Sequence, residues 1–94
     1  MANFTVRVEL HNANSSDYEN LHEKMESAGF ERTITSESGK VYHLPDAEYS
    51  ISSNKSIEEV RNLARDTAKK VKANPSILVT KSDGTRRWAN LDES

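Results

Sequence analysis

The residues best suited to chemistry gather near the middle of the chain: Arg32, Lys40, Tyr42, His43, Asp46 and Glu48. An imidazole, a carboxylate and two cations are what metal-independent RNA cleavage requires. In that reaction a ribose 2′-oxygen attacks its own phosphate. A base takes the 2′ proton, an acid protonates the leaving 5′-oxygen, and a cation faces the charge that develops on the phosphoryl group. His43 has the titration range for base or acid. Arg32 and Lys40 would hold phosphate, and Asp46 would orient the imidazole. The competing reading is architectural, with His43 and Pro45 shaping a kinked edge strand.

A second cluster, Lys81, Arg86, Arg87 and Trp88, lies close to the C-terminus. Two arginines and an indole on one hairpin suit phosphate contact and base stacking. Alternatively, Trp88 plugs the edge of the core while the arginines keep that edge soluble. Lys40, Arg86, Arg87 and Trp88 are the candidate RNA-binding residues, with His43, Arg32 and Asp46 as the candidate catalytic set.

Other chemistries find little support. Gly29, Gly39 and Gly84 are isolated, so no phosphate-cradling loop is present. No cysteine occurs, which removes disulfides and thiolate metal sites and suits a reducing compartment. His11, His22 and His43 lack ligand spacing, and a metal site built from them would need carboxylates. No nucleophile-elbow sequence is found. Neither a metal nor a cofactor is expected.

These residues must be positioned by a small set of elements. Phe4, Val6, Val8 and Leu10 alternate with Thr5, Arg7 and Glu9, as in a strand with one apolar face. Ser16-Asp17-Tyr18-Glu19 reads as a capping box, followed by Tyr18, Leu21, Met25 and Ala28 at helical spacing. Gly29 suits the left-handed residue that ends a helix, with Phe30 packing back on the last turn. A second box, Ser56-Ile57-Glu58-Glu59, opens a stripe of Ile57, Val60, Ala64, Thr67, Ala68 and Val71. Asn74-Pro75 stops it.

The spacing therefore predicts helices over residues 17–28 and 57–73, and strands over 3–10, 31–36, 41–52 and 76–81. Pro45-Asp46 interrupts the third strand as an edge or bulge. Ser82-Asp83-Gly84-Thr85 suits a turn into an extra C-terminal strand. This is α+β, a ferredoxin-like β-α-β-β-α-β sandwich with an antiparallel sheet, two helices on one face and an added C-terminal hairpin. The opposite sheet face carries Thr5, Arg7, Glu9, Thr33, Glu48 and Ser50. Without aromatics there, base stacking in the manner of an RNA recognition motif is disfavoured, which leaves loops and edges for RNA.

The chain is 94 residues long, which allows one domain, with 34% hydrophobic and 30% charged residues. A net charge of −2 argues against an indiscriminate nucleic-acid binder. The halves differ: residues 1–54 hold four bases against nine acids, a net of −5, and residues 55–94 hold nine bases against six acids, a net of +3. A basic C-terminal half can face phosphate, or the imbalance is a solvated surface. The Met1-Ala2-Asn3-Phe4 start lacks a basic region followed by an apolar run, so a cytoplasmic protein with no membrane partner is expected.

The layout, with Leu10 ending a strand, Gly29-Phe30 ending a helix, Glu37-Ser38-Gly39 in a turn, His43-Leu44-Pro45 leading into Glu48-Tyr49-Ser50-Ile51-Ser52, and a Ser56-capped helix, resembles the GhoS family over residues 4–80. These are the protein antitoxins of type V toxin–antitoxin systems. The Asp83-Gly84 hairpin with Trp88 has no match in that resemblance. It implies a fold like that of the CRISPR-associated ferredoxin-fold endoribonucleases. The implied activity is cleavage of single-stranded, U- and A-rich messenger RNA of a small membrane-damaging toxin, with no DNA partner. The implied family supplies no compact catalytic motif, so the site residues rest on their own side-chain chemistry. The alternative is a non-catalytic RNA- or protein-interaction module, a homodimer through the open sheet face. A ligand-binding regulatory domain ranks last for want of a glycine-rich loop. Monomer and homodimer both remain open.

Overall fold

The computed structural model describes residues 2–36, 38–82, 89 and 91. The elements run β1 (Ala2–Glu9), α1 (Ser15–Ser27), β2 (Thr33–Thr35), β3 (Val41–His43), β4 (Glu48–Ser53), α2 (Ile57–Lys69) and β5 (Ser76–Ser82). The expected C-terminal hairpin lies outside the described residues.

Strand β1 sits at the centre of a three-stranded antiparallel sheet in the order β4-β1-β5. Its alternation sets the register. Phe4 faces Ile51, and Val6 faces Tyr49 and Val79, on the inner side. Thr5 faces Ser50 and Thr80, and Arg7 faces Glu48 and Leu78, on the outer side. Phe4, Val6 and Val8 are buried with Leu21 and Met25 of α1, Val60, Ala64 and Ala68 of α2, and Tyr49. Both helices thus cover the same face, because a strand's inner residues all point one way. The outer face is polar as expected, except for Leu78, which is 63% exposed. Thr33 is not on that face, since β2 and β3 form a separate two-stranded sheet.

The single strand expected over residues 41–52 is therefore two. At Leu44 the chain leaves β2, turns through Pro45–Ala47, and joins β1 as β4. Proline fixes its own backbone and donates no N–H, so the ladder cannot continue through it. Ala47 takes a left-handed φ of 64° to complete the turn. Three backbone links hold the break: Leu44 N–H to the Arg32 carbonyl at 2.8 Å, Val8 N–H to the Ala47 carbonyl at 2.9 Å, and Glu48 N–H to the Pro45 carbonyl at 3.1 Å. The segment leading into β2 meets β4 at an isolated bridge, where Glu31 and Ser50 exchange N–H···O bonds of 2.7 Å.

Helix α1 starts two residues earlier than its sequence suggests. Asn14 is the cap: its side chain accepts from Asp17 N–H at 2.9 Å, and the Asp17 carboxylate accepts from Asn14 N–H at 3.1 Å. Asn14-Ser15-Ser16-Asp17 competes with the box at Ser16, and the earlier start adds residues to the helix's beginning while its own box satisfies the orphan N–H of Asp17. The C-terminus follows expectation. Gly29 is left-handed at φ 99°, and Phe30 N–H reaches the Met25 carbonyl at 2.9 Å while its ring is buried.

Ser56 caps α2 as its sequence indicates, with Glu59 reciprocating. These bonds hold the Glu59 carboxyl below its ordinary range, through the Ser56 backbone N–H first. The helix stops at Lys69 rather than near residue 73. Its last turn tightens, with Lys70 N–H to Thr67 and Val71 N–H to Ala68, before left-handed Asn74 and Pro75.

Candidate functional site

Arg32 stands where the three chain segments meet: the exit from α1, the β2–β3 sheet and the Pro45–Ala47 turn. Its guanidinium Nη2 lies 3.9 Å from the Asp46 carboxylate. The Arg32 side chain is 37% exposed and that of Asp46 is fully exposed. Water therefore reaches the pair, which leaves the guanidinium available to another anion.

A groove flanks each end of this pair. One, of about 430 Å³, is lined by Glu26, Gly29, Phe30, Glu31, Arg32, Thr33 and His43. The other, of about 520 Å³, is lined by Arg7, Val8, Glu9, Ser15, Tyr18, Glu19, His22, Asp46 and Ala47. Arg32 borders the first and, through Asp46, reaches the rim of the second. Strained left-handed Ala47 also lines the second groove, and non-glycine strain of this kind concentrates at functional sites.

The floor of this region holds the histidine–tyrosine pair that spacing alone does not reveal. His22 Nδ1 and the Tyr49 hydroxyl are 2.6 Å apart, with ring centroids at 5.8 Å. Burial lowers the His22 pKa from its ordinary value, and Arg32 lowers it further, while Asp46, Glu26 and Glu19 oppose the shift. Burial also pushes the Tyr49 phenol well above the usual range. At neutral pH this places a neutral imidazole against a protonated phenol.

The model of the family described as Endoribonuclease GhoS matches residues 1–87. The chain belongs to the GhoS family. That match runs past the stretch 4–80 on which the resemblance rested and takes in the basic segment through Arg87. No curated protein matches the chain.

Within this GhoS member, the expected site residues are partly brought together. Arg32 and Asp46 are an ion pair, and His43 lines the same groove as Arg32. Asp46 faces Arg32 and makes no hydrogen bond to His43, whose ring is exposed opposite Thr33. Lys40 sits at the β2–β3 turn, where its carbonyl accepts from Ser36 N–H at 2.8 Å. Three residues of extended chain separate it from His43, about 10 Å. Arg86, Arg87 and Trp88 lie outside the described residues. His11 ties the end of β1 to β5 through Ser76 Oγ at 2.8 Å. Among the described residues no three His, Asp or Glu side chains gather as a metal site.

His22 is the residue the sequence understates. Two signals pointed to it. It follows Tyr18 by one helical turn, beside the buried Leu21, so it lies on the border of the apolar stripe. Tyr49 falls on an inner strand position, and a buried tyrosine needs a polar partner.

Proposed function

We propose that the protein is an endoribonuclease that cuts single-stranded RNA at the Arg32 junction and acts in the cytoplasm as the antitoxin of a type V toxin–antitoxin system. The observation that carries this reading is the GhoS family match across residues 1–87. The ferredoxin-like plan belongs to the same reading: β5, β1, β4 and β2 stand for its four strands, with β2 joined through the Glu31–Ser50 bridge. Among the described residues, no helix is long and apolar enough to cross a membrane.

In this mechanism the phosphate sits against Arg32, displacing the solvent-exposed Asp46 contact. His43, at the wall of the adjoining groove, takes the 2′ proton. The 2′-oxygen forms its bond to phosphorus as the bond to the 5′-oxygen breaks. The products are a 2′,3′-cyclic phosphate and a 5′-hydroxyl: water protonates the leaving 5′-oxygen, and the proton taken up by the imidazole returns to solvent. Lys40, Arg86, Arg87 and Trp88 are proposed to hold the flanking RNA.

The test is incubation of the purified protein with labelled U- and A-rich single-stranded RNAs, with and without EDTA. Shortened products with cyclic phosphate ends, unaffected by chelator, are expected. RNA of unchanged length that only migrates more slowly would refute catalysis. It would favour the second reading, a binding module that pairs through the open sheet face, for which exposed Leu78 is the supporting observation.

A further inference from the structure

The tautomer of His22 follows from its surroundings. Tyr49 is fully buried, and His22 Nδ1 is the one side-chain partner of its hydroxyl among the described residues. A buried O–H left without an acceptor is costly, so the phenol donates to Nδ1. Nδ1 can accept only if it carries no proton. The ring then bears its single proton on Nε2. The reverse arrangement, Nδ1–H donating to the phenol oxygen, would strand the phenol proton in the core. Charges facing the ring come from every neighbouring segment: Glu19 and Glu26 on α1, Arg32 after it, and Asp46 on the turn. Burial and Arg32 outweigh the carboxylates and disfavour a second proton on the ring.

Nε2 makes no hydrogen bond to a described residue, and His22 lines the 520 Å³ groove with Arg7, Tyr18 and Asp46. We propose that His22 is a substrate-contacting residue of the RNA site: a neutral imidazole, locked by Tyr49 as the Nε2–H form, that donates to a phosphoryl oxygen beside Arg32. The inference rests on the reading that RNA occupies this junction. An uncharged donor fixed in advance needs no reorganisation as charge builds on the phosphoryl oxygens. Tyr49 is then a positioning residue, acting only through the imidazole. His22 is not a base here, because Nε2, the nitrogen not bonded to Tyr49, carries the ring proton and has no free lone pair.

The experiment uses the full chain with 15N-labelled histidine and an uncleavable 2′-O-methyl single-stranded RNA. Long-range 1H–15N correlations should show His22 neutral and protonated at Nε2 at neutral pH. RNA should shift that Nε2–H signal. Tyr49→Phe, which removes only the hydroxyl, should leave the chain folded while mixing the two tautomers. His22→Ala should weaken RNA binding about tenfold to a hundredfold, the range for a hydrogen bond to a charged oxygen. His22→Gln, which keeps an N–H donor, should lose less. An Nδ1–H tautomer, a charged ring at neutral pH, or bound RNA that leaves His22 unmoved would overturn the proposal. Failure of the wild-type protein to bind RNA at low salt would overturn the proposed function, and this inference with it.

Discussion

Replacing Arg32 with glutamine separates a functional arginine from a structural one. Its partner Asp46 is 3.9 Å away and fully exposed, and Arg32 is itself more than one-third exposed. A solvated pair at that distance contributes little to stability. Arg32→Gln should therefore leave the thermal midpoint almost unchanged, and its backbone carbonyl keeps the bond from Leu44 N–H. The effect on cleavage should be far larger. Removing one preorganised donor from a developing oxyanion usually costs about 10²–10³ in kcat. Loss of one phosphate contact should also flatten the salt dependence of single-strand binding by about 0.7 in log–log slope. The variant has a second signature. Arg32 helps keep His22 neutral, so its loss should raise the His22 pKa toward the ordinary value. The assays are thermal melting, cleavage of a labelled RNA, binding at several salt concentrations, and a histidine titration by NMR. Cleavage equal to wild type, with stability down by more than about 1 kcal/mol, would refute this reasoning and make Arg32 a structural residue.

Asn14→Ala and Ser56→Ala should each lower unfolding free energy by about 1 kcal/mol in denaturant melts, since each cap serves an orphan helix N–H. Ser16→Ala, now inside the first turn of α1, should stay within about 0.5 kcal/mol. His43→Ala should slow RNA cleavage by about 10²-fold, and full activity would return His43 to the role of an edge residue. Acid should destabilise the fold through His22. Its folded-state pKa is depressed, so the unfolded chain takes up the proton first as pH falls below about 6.5, and stability drops until the folded ring titrates too. Denaturant melts across that range should show a shallower drop for His22→Gln.

Patterns confined to one segment were legible in the sequence. The alternation of β1, the Ser56 box and the Gly29-Phe30 exit all depend on contacts within a few residues, and all three are found. The errors arose where two local solutions competed or where tertiary pairing decided. Asn14 and Ser16 each head a plausible box, and spacing does not rank them. The split of residues 41–52 depended on which strand each half would pair with. Pro45 marked the break but not the change of partner. Arg32, His43 and Asp46 were chosen by side-chain type alone; Arg32 and Asp46 form an ion pair, and His43 lines the groove beside Arg32. His22–Tyr49 escaped because its two members are joined only across the fold, from a helix flank to the central sheet.

The proposed site at the junction has a physical rationale. A continuous four-stranded sheet would pair the backbone through residues 44–47 and leave less room for grooves. Breaking the third strand leaves a groove at each end of the Arg32–Asp46 pair. The cost is a left-handed alanine and a weakened link between β2 and β4. Yet the backbone there is not loose, since Leu44, Ala47 and Glu48 are each fixed by a main-chain hydrogen bond. Rigid main chain with exposed polar tips is the arrangement that preorganised electrostatics requires. The acidic N-terminal half then has a use as well. Glu26, Glu31, Glu19 and Glu9 line the two grooves alongside the cations Arg32 and Arg7, and under the proposed function they would repel phosphate away from those cations. An RNA strand held by the basic C-terminal half would thus be admitted to the site at few positions, so that register along the strand, rather than overall affinity, decides where it is cut.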